Sequence, residues 1–218
     1  MTKTFNTNTL DNYHPHMYPG RCTTCYMREE HCICDLIPTL HNRTPVTVIM
    51  HYRESRKTTN TARLACLALK NSRILIRGVK DNELDLSPVH HPDHQSVLLT
   101  LNERSETLTS EWVAKQTKPL HLIVPDGSWR QASKVGKREP ELQNIPWVQL
   151  APGPLSRYKL RREHDPRGLA TLEAMARALA VIESPDLQVK LEEVFHIMVE
   201  RTLKTRSHSA EKSPYGVE

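Results

Sequence analysis

No apolar run in this chain of 218 residues approaches the ~20 needed to span a bilayer. The N-terminal stretch MTKTFNTNTL likewise lacks the apolar core of a signal peptide. Both absences lead to the expectation of a cytoplasmic protein with no membrane partner. Disulfides are not expected either: cytoplasmic thiols are kept reduced, so the five cysteines read as metal ligands or core residues. No internal repeat or low-complexity tract is present, and no obligate protein partner is implied.

What is there suffices for a globular fold. Hydrophobic residues make up 38% of a chain long enough to bury a real core, which predicts one α/β domain with small appendages. Lys and Arg number 30 against 25 Asp and Glu, a formal charge of +5 with a pI near 9.0 and 12 histidines besides. That balance points to a polyanionic partner, and nucleic acid is the usual one.

Short β-branched and apolar runs at residues 46–50, 72–76, 97–101, 122–124 and 147–150 read as strands. Helical patterns lie between and after them, at 61–70, 103–115, from Trp129, from Leu169 and after Pro185. This alternation predicts an α/β fold with a mostly parallel sheet and helices on both faces. Residues 1–20 are expected to form a loose arm, 21–40 a metal-binding module, 41–203 the α/β domain and 204–218 a basic tail. The stretch 81–93 reads as an exposed excursion whose His90 and His91 lack the spacing of a metal site, and Cys66 reads as core.

Four stretches carry chemistry. In RCTTCYMREEHCICDL, Cys22 and Cys25 form a CxxC turn that aims two thiolates at one point, and Cys32 and Cys34 complete a tetrahedron suited to zinc. Four sulfurs leave no open position for a catalytic water, so a metal there is structural; the alternative is reduced cysteines or a redox pair. In HYRESRKTTNTARLACLALK, Arg53, Arg56, Lys57 and Arg63 crowd a helix start at Thr59, Asn60 and Thr61 that suits an anion, or simply form a capped helix with a solvated basic face. In HLIVPDGSWRQASKV, the strand 122–124 is expected to end at Pro125 and turn into a helix. Ligands collect outside the carboxyl ends of parallel strands, so Asp126, Ser128 and Trp129 would face a crevice. An ordinary helix start, with Ser128 or Asp126 as N-cap, is the plainer alternative. In APGPLSRYKLRREHDPRGLATLEAMARAL, Arg157, Lys159, Arg161 and Arg162 with Tyr158 between them suit a phosphate backbone and one stacked base, or a solvated charged loop.

The cysteine pairs, TNTARL, PDGSW, and SRYKLRRE followed by GLATLEA together resemble the DTW-domain family, over residues 22–183 and in the expected order. Its bacterial members are tRNA-uridine aminocarboxypropyltransferases. Asp126, Ser128 and Trp129 fall on the family's signature acid, hydroxyl and indole, with serine where the name-giving motif has threonine. The resemblance implies a fold akin to the knotted RNA methyltransferases (SPOUT-like), with the C-terminal part threaded through a trefoil knot. It also implies transfer of the 3-amino-3-carboxypropyl group of S-adenosylmethionine to N3 of a tRNA uridine in the variable loop, with release of 5′-methylthioadenosine.

Under that resemblance Asp126 is the expected general base, with a pKa raised by burial beside Trp129. Arg130 would stabilise developing charge on the uracil or contact RNA. The donor is expected to lie against Leu122, Val124, Pro125, Leu150, Ala151, Ser156, Thr171 and Glu173, with its α-carboxylate at Thr59, Asn60 and Thr61. Arg53, Arg56, Lys57, Arg63, Arg157, Lys159, Arg161 and Arg162 would contact tRNA phosphates, Tyr158 would stack on a base, and the zinc module would position the tRNA elbow. Methyl transfer by the same fold, or a zinc-containing RNA-binding protein without catalysis, are the alternatives.

Overall fold

The computed structural model describes residues 19–81, 83–158, 160 and 168–211. Its elements in chain order are β1 (Val46–His51), α1 (Tyr52–Ser55), α2 (Thr61–Ala68), β2 (Ser72–Arg77), β3 (Gln95–Leu99), β4 (Glu106–Leu108) and α3 (Ser110–Ala114). They continue as β5 (Leu120–Asp126), α4 (Trp129–Ala132), α5 (Val135–Arg138), β6 (Trp147–Leu150), α6 (Thr171–Ile182) and α7 (Pro185–Glu211). All strand pairs are parallel, in the order β2-β1-β5-β3-β6-β4. Parallel strands covered on both faces carry near-continuous apolar sequence, and β5 (LHLIVPD) is buried at every position.

Successive side chains of a strand point to opposite faces, so the sheet has two cores. Val48, Met50, Leu122 and Val124 face the layer that contains α2, α6 and α7, where Leu172, Met175, Leu191 and Phe195 have no exposed surface. Ile49, Leu98 and Ile123 face a thinner layer made by Val135 of α5, Leu142 and the turn at residues 87–89. Helices therefore cover both faces, unequally. The thin layer sits close: a Cβ on Gly136 would lie 2.4 Å from Trp147 Cζ2 and 2.6 Å from Leu98 Cδ2, so only glycine fits there. Among the described residues no helix is long and apolar enough to cross a membrane.

Three elements differ from the sequence-based expectation. The helix expected over 103–115 is instead edge strand β4 followed by the short α3. Thr109 accepts a hydrogen bond from Trp112 N–H at 3.1 Å and so starts the helix only at Ser110. β5 does not stop at Pro125 but runs through Asp126. Leu122 N–H points toward β1, donating to Pro45 at 2.9 Å, so by alternation position 125 turns its nitrogen toward β3, where pairing has already ended at Ile123. A proline costs no ladder bond there. Finally, α7 crosses the boundary expected at 203/204 and continues to Glu211. Of the arm expected over residues 1–20, residues 1–18 lie outside the described residues, as does the segment 161–167 within the part expected to be knotted.

One polar pair is buried in the sheet. Thr47 Oγ1 and His121 Nε2 lie 2.8 Å apart on β1 and β5. Burial, aided by the charge of Arg73, lowers the His121 pKa from 6.5 to about 4. Below pH 6.5 the unfolded chain takes up a proton that the folded ring refuses. This contribution is full above pH 6.5 and is lost as the pH falls toward 4, a loss of about 3 kcal/mol at most. Urea midpoints measured from pH 7 to 4 should therefore fall more steeply for the wild type than for His121→Gln; parallel slopes would contradict this account.

Candidate active site

β1 leads through α2 to β2 on one side of the sheet, and β5 leads through α4 and α5 to β6 on the other. Adjacent parallel strands whose connections diverge leave a crevice at their carboxyl ends, the place where open α/β sheets bind ligands. Asp126 ends β5 there, in register with Met50 of β1. A cavity of about 810 Å³ opens beside it, lined by the segments that follow β1, β3, β5 and β6 and by the first turns of α6.

Asp126 is the fixed point of this cavity. It is 6% exposed, yet lines the wall. Thr171 Oγ1 donates to its Oδ1 at 2.5 Å, and Asn60 Nδ2 donates to its Oδ2 at 2.7 Å. Asn60 also caps α2, accepting from Arg63 N–H at 2.7 Å, so its orientation is set from both ends. The turn after Asp126 is equally specified. Gln131 folds back so that its Oε1 accepts from Ser128 N–H at 2.8 Å, and a Cβ on Gly127 would meet Gln131 Cβ at 2.8 Å. Ser128 is exposed on the wall. Trp129 opens α4, but its indole lies outside the described residues.

The expected donor-contacting residues divide into two groups. Val124, Pro125, Leu150, Ala151, Asn60, Thr61 and Thr171 line the cavity. Leu122 does not: it sits mid-strand, unexposed, with its N–H used in the ladder. Ser156 and Glu173 are bound to each other instead, because Glu173 accepts from Ser156 Oγ at 2.5 Å, Arg157 N–H at 2.8 Å and Ala170 N–H at 2.9 Å. They latch the loop after β6 onto the start of α6. Thr59 lies behind the wall, and its carbonyl accepts from Tyr158 Oη at 2.6 Å.

The expected RNA-contacting residues divide in the same way. Arg53, Arg56, Lys57, Arg130 and Arg157 are exposed, and Lys57 and Arg130 stand on the cavity rim. Arg63 is buried: its guanidinium donates to the carbonyls of Ser55 and Lys57 and stacks 3.7 Å from the Tyr26 ring. Tyr158 is buried against Phe195, with ring centroids 5.8 Å apart, and cannot stack on a base as placed. Lys159, Arg161 and Arg162 lie outside the described residues. Sequence reasoning missed Tyr52, flanked by the guanidinia of Arg53 and Arg56 at 5.6 Å each. It also missed Glu54, a buried wall residue paired with Lys57 at 2.5 Å, and Arg177, on the wall one face-repeat beyond Ala174. Only the i, i+3, i+6 spacing of Thr171, Ala174 and Arg177 hinted at the last.

The four cysteines converge as their spacing predicted. Their sulfurs all lie within 4.8 Å of one another, with Cys22 and Cys34 at 3.5 Å and Cys25 and Cys32 at 3.8 Å. Sulfurs 2.3 Å from a tetrahedral zinc stand about 3.8 Å apart, so the donor set fits such an ion. Burial pushes the Cys34 thiol well up, and the crowding of Cys22, Cys32 and Cys25 adds to it. Thiolates so close together need a cation among them. Arg201 of α7 donates to the Cys32 carbonyl at 2.6 Å and ties this module to the main core. Cys66 is a core residue whose thiol burial pushes up to about 12.

The chain is similar to several known proteins. The chain is 27% identical over 168 residues to tRNA-uridine aminocarboxypropyltransferase 2 of Macaca fascicularis, an overlap of 74% of this chain and 56% of that protein. It is 26% identical over 189 residues to the protein of the same name from Drosophila melanogaster, covering 82% and 73% of the two. The chain thus spans little more than half the length of the macaque relative. Among solved structures, the SAM-dependent rRNA:acp-transferase Tsr3 from Vulcanisaeta distributa is similar over 75% of this chain and 80% of that one, with 17% identity and a TM-score of 0.44. Residues 20–203 match the DTW domain, and the chain belongs to that family.

Proposed function

We propose that this protein transfers the 3-amino-3-carboxypropyl group of S-adenosylmethionine to N3 of a uridine in tRNA. The observation that carries the proposal is Asp126, a buried carboxylate held by Asn60 and Thr171 on the wall of a cavity at the end of the central strand. The cavity's size falls in the range of small-molecule sites. The names of the relatives support the aminocarboxypropyl group and the tRNA uridine that receives it.

The chemistry assigns work to few residues. Uracil N3 carries a proton and is a poor nucleophile until a base removes it, and the Asp126 carboxylate would accept that proton. The N3–C bond forms as the C–S bond breaks, the electron pair leaves with sulfur, and the products are the substituted uridine and 5′-methylthioadenosine. The sulfonium already makes sulfur a good leaving group. The protein's task is therefore to hold the methylene, rather than the methyl, in line with N3 at about 3–3.5 Å. Exposed Arg53, Arg56, Arg130 and Arg157 would meet tRNA phosphates around the cavity mouth. Cys22, Cys25, Cys32 and Cys34 would hold one zinc ion, which supplies a cross-link to the module docked on α7.

Two measurements test this reading. With tRNA and donor labelled either in the methyl or in the carboxypropyl carbons, digested nucleosides should carry only the carboxypropyl label. Asp126→Asn, which turns an N–H₂ toward the donors of Asn60 and Thr171, should slow transfer by ~10²–10⁴-fold. Methyl label in the RNA would mean methyl transfer, and no label from either donor would mean a binding protein without catalysis. Separately, elemental analysis of protein purified without added metal should find one zinc per chain, and Cys22→Ser and Cys32→Ser should each lower both zinc content and Tm. Metal-free wild-type protein with an unchanged Tm would refute the zinc assignment.

A further inference from the structure

Three cations stand on the described cavity wall, and two have evident roles. Lys57 is held by Glu54 at 2.5 Å, and Arg130 is exposed at the rim, where a phosphate backbone would pass. Arg177 is different. It follows Thr171 and Ala174 on the face of α6 turned to the cavity. It is half-buried, and its Nη1 lies beneath the Pro152-Gly153-Pro154 turn, so close that a Cβ on Gly153 would touch it at 3.5 Å. Among the described residues no carboxylate or hydrogen-bond partner meets its guanidinium. A cation withdrawn from water with no counter-ion is unfavourable unless a ligand brings the anion.

We infer that Arg177 binds the α-carboxylate of the sulfonium donor and thereby decides which carbon faces Asp126. This rests on the donor assignment proposed above. The donor carries a single anionic group, at the far end of the chain to be transferred, three C–C bonds from the carbon that reacts. With Asp126 at hydrogen-bond distance from N3 and N3 in line with that carbon, the carboxylate falls roughly 8–10 Å from Asp126. Thr171, which holds Asp126, and Arg177 are six residues apart on α6, a rise of about 9 Å. A donor stretched between these points lies along α6 and presents its methylene to N3. The helix start at Thr59–Thr61 is a poorer carboxylate site, because Asn60 spends its amide on Asp126 and its carbonyl on Arg63 N–H. A guanidinium also matches a carboxylate with two parallel hydrogen bonds, which fixes direction as well as position.

The test needs no RNA and no turnover. Wild type, Arg177→Gln and Arg177→Lys are titrated calorimetrically with S-adenosylmethionine and with its decarboxylated form, which keeps the adenosine, sulfonium and amine. Wild type should prefer the carboxylated donor by ~10–100-fold, the worth of one charge-assisted pair. Arg177→Gln should lose that preference while holding the decarboxylated donor as before, and Arg177→Lys should regain part of it. Retention of the full preference by Arg177→Gln would overturn the inference, as would equal weakening of both donors. So would unchanged donor binding with weaker tRNA binding, which would give Arg177 to a phosphate. Wild-type protein that binds neither donor would remove the donor assignment itself, and this inference with it.

Discussion

Two hydrogen bonds to one buried carboxylate organise the site. Asp126 ends β5, which is buried along its full length, and its two oxygens accept from Asn60 at the start of α2 and Thr171 at the start of α6. Three segments far apart in sequence are thereby fixed to a single point. A buried ionisable group without partners is costly, whereas one with defined donors holds its neighbours in place. The carboxylate therefore locates the helices as much as the helices locate the carboxylate. The capping role of Asn60 makes that coupling tight, since the same side chain that ends the α2 backbone also faces the acid.

Around this point the fold closes a rigid frame. Glu173 gathers Ser156, Arg157 and Ala170, and Tyr158 reaches across to the Thr59 carbonyl, so the loop after β6 is latched to both helix starts. Arg63 does the same behind α2, joining Ser55 and Lys57 to the Tyr26 ring and so to the cysteine module. Arg201 fastens that module to α7. The cavity wall these bonds frame carries Asp126, Ser128 and Arg177. Preorganisation of this kind is what an in-line displacement requires, because small misplacements of the reacting atoms cost large factors in rate.

Much of this was legible in the chain, and for physical reasons. Residues 46–50, 72–76 and 147–150 are short runs of β-branched or apolar residues, and the pleat of a doubly covered sheet admits little else. Four thiols at CxxC and CxC spacing can converge in few ways. Asp126 was legible because a strand ending at a Gly turn sets whatever comes last at a sheet edge. The residues that the structure places away from their expected contacts share a cause. Arg63, Tyr158, Ser156 and Glu173 are polar residues in motif-rich loops, where an internal latch and a ligand contact draw on the same side chains. Only the partner, distant in sequence, tells them apart. β4 was hidden because three residues of edge strand carry too little pattern to compete with the helical signal around Trp112. Arg177 was hidden because a cation on a helix looks, in sequence, like any solvated surface charge.

The central claim is that Asp126 removes the N3 proton of uracil. It is tested most directly by making that proton easier to lose. Transfer rates of wild type and Asp126→Asn are compared on tRNA containing uridine and on the same tRNA containing 5-fluorouridine, whose N3 is more acidic. If Asp126 is the base, the defect of Asp126→Asn should shrink markedly on the fluorinated substrate; a defect of equal size on both would contradict the account.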